Sequence, residues 1–434
     1  MNVCLCVSWY FPNSVGGTET YVQALARYLQ QEGHDVIVLK PGHKDEENYF
    51  YEGIEIRSFF PGTDFKRRMY LGLQAPELTD FEEKLKATSP DVIHFHSLTG
   101  PSGISISHIE KARKIAAKVY FTFHLPHLTC ATSTFKYLKK HDCEGVAEPK
   151  KCAECLFAHS GWPIPAAKAL GAFSTSLNKR NIKVLGYNPL FTRLGSAVWI
   201  ELRKEQLGKL SSLCDKLICL SSWFCKVLKK NGVPKEKLAL FEQGVLMEVG
   251  KPVRKGNPQI DVSEPVRLVF LGRLDPIKGL SLLLSVIKEF DEEEFIIDLY
   301  GPIDQGYWQQ LEPYFKKGNI QYKGILKREE ILQTLSTYHA MVVPSLVTEM
   351  APLVLQEAFA ASIPAIASDV AGNAAFVIPN VNGWLFKSGN TESLKEVLSW
   401  LLKNKNELTK ASNNMYPVRT IKDIGGEHLE LYLS

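Results

Sequence analysis

The sequence lacks the features that mark several large protein classes. No apolar run reaches the ~18 residues of a membrane-spanning helix; the best stretch, Ala340 to Val343, stops at Pro344. No basic segment precedes the apolar start Asn2-Val3-Cys4-Leu5-Cys6-Val7, so no export signal is expected there. The formal charge is only +4 over 434 residues, which removes the general case for a nucleic-acid partner. No Gly-x-Gly-x-x-Gly follows the first strand pattern, which argues against an NAD-dependent enzyme. The nine cysteines are an odd number in a chain with no export signal, so mostly reduced thiols and a cytoplasmic location are expected.

What is present has the balance of a globular protein, with 45% hydrophobic and 23% charged residues. The length suits two domains. Strand and helix patterns alternate. Val3 to Val7 reads as a strand, Gly16-Gly17 as a loop, and Glu19 to Gln31 as a helix with Tyr21, Val22, Leu25, Ala26 and Leu29 on one face. Val36 to Leu39 completes a βαβ unit, and strands are expected at Asp91–Phe95, Val119–Phe123 and Lys216–Leu220. A polar, turn-rich stretch from Lys255 to Pro265 reads as a linker, after which the alternation restarts. Val266–Leu271, Ile296–Tyr300, Ala340–Val343 and Ala365–Ala367 are the expected strands there, with a helix from Leu280 to Phe290. The expected fold class is α/β, with two doubly wound Rossmann-like domains facing across a cleft. Their bounds are 1–258 and 259–414, and an amphipathic segment at 415–434 packs back on the first.

The chemistry concentrates in the second half. The strand Val266–Leu271 runs into Gly272-Arg273-Leu274-Asp275-Pro276-Ile277-Lys278-Gly279. A forked cation and a point-charge cation in a glycine-bounded loop suit a diphosphate. Later come Thr348-Glu349-Met350-Ala351-Pro352 and an apolar run that holds Glu357. Pro352 suits the first position of a helix. The free N–H groups of that helix end would favour phosphate, and a carboxylate among apolar neighbours needs a partner, which a hydroxyl-rich ligand supplies. No Asp-x-Asp metal motif stands nearby, so cations and the helix end would do the work of a metal.

Gly272-Arg273 with Lys278-Gly279, then Glu349 and Glu357 with seven residues between them, resembles the donor site of family 4 retaining glycosyltransferases with the GT-B fold. The likeness extends to Val15-Gly16-Gly17-Thr18-Glu19 and to Asn380 through Phe386, and so covers almost the whole chain. The resemblance implies hexosyl transfer, with retention of configuration, from a UDP- or GDP-sugar to a glycan or lipid-linked acceptor, in bacterial-type polysaccharide biosynthesis. It implies no cofactor for catalysis. Arg273 and Lys278 would hold the diphosphate and Glu357 the ribose hydroxyls. Glu349 and His124 would face the transferred sugar, with backbone groups of Met350, Ala351 and Leu353 close by. Ile325 and Leu326 would read the base, and Gly16 and Gly17 would admit the donor to the first domain's backbone. The sequence departs from the family's usual Gly-aromatic-Gly run, because Met350-Ala351-Pro352 stands there and Pro352 has no N–H to offer. An epimerase or hydrolase of nucleotide sugars, and a non-catalytic sugar-nucleotide-binding protein, are the competing readings.

Three weaker signals remain. His94 and His96 lie on or just after a strand; His94 reads as packing and His96 as nearer to substrate. Cys130, Cys143, Cys152 and Cys155 cluster in a polar insertion, and Cys152-Ala153-Glu154-Cys155 has the gap of a metal knuckle. Structural zinc, another metal or cluster, and free thiols or a disulfide are all open there. From Lys150 to Leu210, ten Lys and Arg stand against three acids, interleaved with Trp162, Phe173, Tyr187, Phe191 and Trp199. This reads either as a solvated face or as a peripheral contact with an anionic membrane surface or acceptor.

Overall fold

The computed structural model describes residues 1–63, 75–96, 98, 103–180, 182, 193–247 and 263–434. The chain divides into two compact units. Unit 1 is Met1–Glu242 with Ile421–Ser434, and unit 2 is Gln243–Thr420. The boundary expected at 258/259, within the linker-like stretch, lies outside the described residues.

Unit 1 is built on an eight-stranded sheet. Its strands are β1 (Asn2–Cys6), β2 (Asp35–Pro41), β3 (Tyr49–Tyr51), β4 (Ile54–Phe59), β5 (Val92–Phe95), β6 (Lys118–Phe123), β9 (Lys216–Cys219) and β10 (Leu238–Leu240), after a small hairpin of β7 (Lys136–Tyr137) and β8 (His141–Asp142). The sheet order is β10-β9-β6-β5-β1-β2-β4-β3, parallel except for β3. The inner strands are apolar on both faces because helices cover both. Helix α1 (Gly17–Gln31) buries Tyr21, Val22, Leu25, Ala26 and Leu29 on one stripe. The C-terminal helix, Ile421–Leu433, rejoins this unit against α1. Its approach is close enough that a Cβ at Gly425 would come within 2.3 Å of the Tyr28 ring. Between β6 and β9 the insertion carries helices α2 (Pro149–His159) and α3 (Ile164–Lys179), with a small core of Leu138, Phe157, Ala158 and Ala167.

Unit 2 has six parallel strands: β11 (Val266–Leu271), β12 (Phe295–Tyr300), β13 (Ile320–Gly324), β14 (Ala340–Val343), β15 (Ala365–Ser368) and β16 (Gly383–Phe386). Their order, β13-β12-β11-β14-β15-β16, is the doubly wound arrangement in which the chain reverses direction across the sheet between β11 and β14. Helices α4 (Leu280–Ile287), α5 (Leu353–Ala360) and the short α6 (Ala371–Ala374) matter for the site. Helix α4 stops at Ile287, short of the expected Phe290, which a turn carries into the core instead.

Candidate active site

In an open parallel sheet, the crevice beyond the strand carboxyl ends at the reversal point is the natural ligand site, because the loops there diverge to opposite faces. In unit 2 these loops follow β11 and β14. The first is Gly272–Gly279. Asp275 accepts from the Ile277 N–H at 3.0 Å and so caps the turn Pro276–Lys278. Gly279, at φ 75°, then passes so close to the end of β14 that a Cβ would lie 2.0 Å from the Pro344 carbonyl oxygen. A backbone bond from Leu346 N–H to Ile277 O at 2.9 Å locks the two loops together.

That contact brings Lys278 to Glu349. Lys278 Nζ lies 2.5 Å from Glu349 Oε1, with both side chains largely covered. Ser345 Oγ donates to the same oxygen at 2.9 Å. Ser345 is itself held, since Ser368 Oγ donates to its carbonyl at 2.6 Å. Asn373 Nδ2 in turn donates to Ser368 Oγ at 3.1 Å and to Ser368 O at 3.0 Å. Helix α6 presses on the Glu349 backbone so tightly that a Cβ at Gly372 would come within 1.8 Å of Glu349 O. Sequence reasoning named Lys278 and Glu349 but missed Ser345, Ser368 and Asn373. The available signal was a short polar residue at the end of β14 and of β15, where an apolar strand should simply stop.

The sequence pictured Arg273, Lys278 and the helix end as a positive pocket, to which the structure adds the carboxylates that face the two cations. Lys278 is neutralised by Glu349, and Arg273, largely exposed, faces its neighbour Asp275 with Nε 3.5 Å from Oδ2. Pro352, expected at the first position of the helix, is instead the cap residue (φ −70°, ψ 119°) ahead of a helix that begins at Leu353. Met350 is buried, while Ala351 and Leu353 keep some exposure. Glu357 is the fifth residue of α5. Burial pushes its carboxyl up to about 7, against the opposing positive charge of Arg328. Ile325 is exposed just beyond β13, and Leu326 packs against the unit's core.

Unit 1 has its own reversal point, between β1 and β5. Gly16, fully extended, precedes α1, whose first residue is Gly17. His96 follows β5 and His124 follows β6, and His96 Nδ1 lies 3.1 Å from His124 Nε2. His96 Nε2 is buried with no hydrogen-bond partner among the described residues. His94 is fully buried between Thr122 Oγ1, at 2.8 Å, and the Tyr432 hydroxyl of the C-terminal helix, so it is a packing residue. Burial holds His94 and His96 well below the ordinary imidazole range and His124 down at about 3, so all three are neutral bases.

The described cysteines are all free thiols, so the insertion contains no disulfide. Cys130, Cys143, Cys152 and Cys155 nevertheless line one small pocket. Among the described residues no three His, Cys, Asp or Glu side chains already stand together as a metal site. Along the basic segment, Trp162 and Phe173 are exposed and Trp199 is buried. Tyr187 and Phe191 lie outside the described residues. No helix of the described residues is long and apolar enough to cross a membrane.

Comparison with known proteins agrees with this architecture. Residues 257–417 match the family model described as glycosyl transferases group 1, and residues 15–142 match glycosyltransferase family 4. An uncharacterised glycosyltransferase of Methanocaldococcus jannaschii, MJ1178, is 30% identical over 193 residues, 44% of this chain and 50% of that protein. The amylovoran biosynthesis glycosyltransferase AmsK of Erwinia amylovora is 25% identical over 274 residues, 58% of this chain and 63% of its own length. The chain thus spans about half to three-fifths of these relatives. The solved Anabaena protein Alr3699/HepE, in complex with UDP and glucose, superposes with a TM-score of 0.60 at 12% identity, covering 99% of this chain and 98% of that one. The fold is GT-B, and both halves of the chain are related in sequence to glycosyltransferases.

Proposed function

We propose that the protein is a hexosyltransferase that moves a sugar from a nucleotide-diphosphate donor to a glycan or lipid-linked acceptor, with retention of configuration, in polysaccharide biosynthesis. The carrying observation is the Lys278–Glu349 pair, held at the reversal point of unit 2 and buttressed by Ser345. A donor diphosphate offers Lys278 a second anionic partner, and Arg273 is exposed on the same loop to join it. As the sugar–phosphate bond breaks, negative charge grows on the departing diphosphate, and a fixed cation nearby lowers that barrier. The new bond forms from the acceptor oxygen to the anomeric carbon, and the acceptor's proton passes to the leaving phosphate. Glu349 faces the transferred sugar, with His124 of unit 1 as a neutral contact. Glu357 accepts from the ribose hydroxyls, and the backbone at Ile325 and Leu326 reads the base. The relatives' printed functions and the UDP complex of the Anabaena neighbour support this reading.

A lipid-linked acceptor is supported by α3 and its two flanks, along which Trp162, Phe173 and Ile182 are exposed, as are Lys168, Lys179 and Arg180. Apolar anchors among cations suit the face of an anionic membrane.

The test is Lys278→Ala. A lost charge-stabilising donor costs roughly 2.7–4 kcal/mol, or about 10²–10³ in rate, so turnover of UDP- or GDP-sugar should collapse at saturating donor while the melting temperature holds. A folded variant with full activity would overturn the assignment. Donor turnover that is indifferent to acceptor would favour a hydrolase or epimerase.

A further inference from the structure

We infer that Cys130, Cys143, Cys152 and Cys155 are the ligands of one soft divalent cation, zinc by their chemistry, which staples the insertion of unit 1. The inference does not depend on the transferase reading.

The four residues come from three separate pieces of chain. Cys130 closes a turn, its N–H bonded to Pro126 O at 2.8 Å. Cys143 follows β8, its N–H bonded to Phe135 O at 2.8 Å. Cys152 and Cys155 lie three residues apart on α2, which puts them on one helix face. The twenty-six residues from Cys130 to Cys155 thus deliver four thiols to the lining of a single pocket.

The segment around them needs a staple. Ser133, Phe135, Leu138 and Lys139 all sit at positive φ, four of the nine such non-glycine residues described in the chain. Each such residue costs of order 1 kcal/mol and persists only where the surroundings fix it. Phe135 packs edge-on against Trp223 and Leu138 enters the local core, but Ser133 and Lys139 are not buried. The hairpin strands are two residues long, and the local core has four fully buried members. Small modules with so little core are ordinarily held by a disulfide or a metal, and no disulfide is present.

Among the described residues the four thiols are not already gathered as a ligand set. Cys155 Sγ is engaged with Lys136 O at 3.2 Å, and Cys130 Sγ accepts from Phe135 N–H at 3.4 Å. Binding requires thiol rotation into the pocket and the exchange of the first of these bonds for a metal bond. Four thiols lose four protons to Zn²⁺, which leaves a tetrahedral tetrathiolate of net charge −2. Lys136 and Lys151 line the same pocket and offset that charge.

The experiment uses the full chain. Elemental analysis of protein purified without chelator should give about one zinc per chain. Chelator-stripped protein should take up Co²⁺ with thiolate charge-transfer and tetrahedral d–d bands. Cys152→Ser should abolish uptake, whereas Cys214→Ser, which removes a buried thiol elsewhere in unit 1, should keep it. If Cys152→Ser fails to fold, the cobalt spectrum of the unmutated chain decides alone. Less than a tenth of an equivalent, as purified and again after incubation with Zn²⁺, overturns the site, and so does a cobalt spectrum without thiolate bands. Iron with labile sulfide overturns the single-ion assignment.

Discussion

The two units share an architecture but differ in the groups whose titration burial shifts: imidazoles in unit 1 and a carboxyl in unit 2. Unit 1 holds ten of the eleven histidines, and unit 2 only His339. Several of the ten are packed as neutral bases, His94, His96 and His124 on or just after β5 and β6 and His108 against Phe59 and Phe81, with burial holding His108, His124 and His127 down at about 3. In unit 2 desolvation acts instead on a carboxyl, that of the half-buried Glu357, and raises it to about 7. The same desolvation therefore gives the halves opposite pH responses. A base that stays neutral when folded is protonated first in the unfolded chain, so its contribution is lost as pH falls from about 6.5 toward 3. A carboxyl raised when folded binds its proton more tightly in the native state, so its contribution is lost as pH rises from about 4.5 through 7.

The largest expected effect follows from this contrast. His108 is fully buried, and each pH unit below its unfolded value costs about 1.36 kcal/mol, or roughly 2 kcal/mol at pH 5 from this residue alone. With the other histidines acting in the same sense, unit 1 should open first on acidification. Hydrogen exchange read by mass spectrometry at pH 5 should show peptides of β5 and β6 losing protection while those of β11 and β14 keep theirs. Simultaneous loss, or loss in unit 2 first, would break the comparison.

The next effect sharpens the site in unit 2. Ser345 Oγ supports the Glu349 oxygen that also meets Lys278. A hydrogen bond to a charged group contributes about 1.5–3 kcal/mol. If the bond is kept in the reacting complex, Ser345→Ala should lower kcat by about tenfold or more, since 1.4 kcal/mol is one decade, and its loss from the resting protein should lower the melting temperature by a few degrees. Crossing it with Lys278→Ala in a double-mutant cycle should give strong non-additivity, because the two side chains share one acceptor atom. Additive losses would mean that Ser345 does not act through Glu349.

These contacts also mark how far the sequence could be read. Strands such as Val266–Leu271 and Ala340–Val343 were legible to the residue, because a strand buried on both faces is a short apolar run with abrupt ends. Lys278 and Glu349 were legible as charges flanking such strands. Their pairing was not, because it depends on Gly279 passing under the Pro344 carbonyl, a backbone approach that no spacing encodes. The Ser368–Asn373 buttress was hidden for the same reason: it is set by which strands neighbour each other, and β14 and β15 become adjacent only in the sheet. The insertion's helices α2 and α3 were missed because their weak amphipathic pattern serves a small satellite core.

The smallest effect tests whether the half-buried acid of unit 2 serves the ligand. If Glu357 accepts hydrogen bonds from donor hydroxyls, binding must favour its ionised form and pull its pKa down from about 7. Donor affinity should then rise with pH through neutrality, by about tenfold between pH 6 and 8, since one pKa unit corresponds to 1.36 kcal/mol. Up to one proton should be released per donor bound near pH 7, measurable by calorimetry in buffers of different ionisation enthalpy. Glu357→Gln should flatten the profile without restoring high-pH affinity, because an amide is the weaker acceptor. The same variant should raise the stability of unit 2 at pH 8, where the ionised carboxyl is most costly, and leave the acid response of unit 1 unchanged. A donor affinity independent of pH in the unmutated chain would leave Glu357 as a half-buried acid with no part in recognition, and the contrast between the units would then concern stability alone.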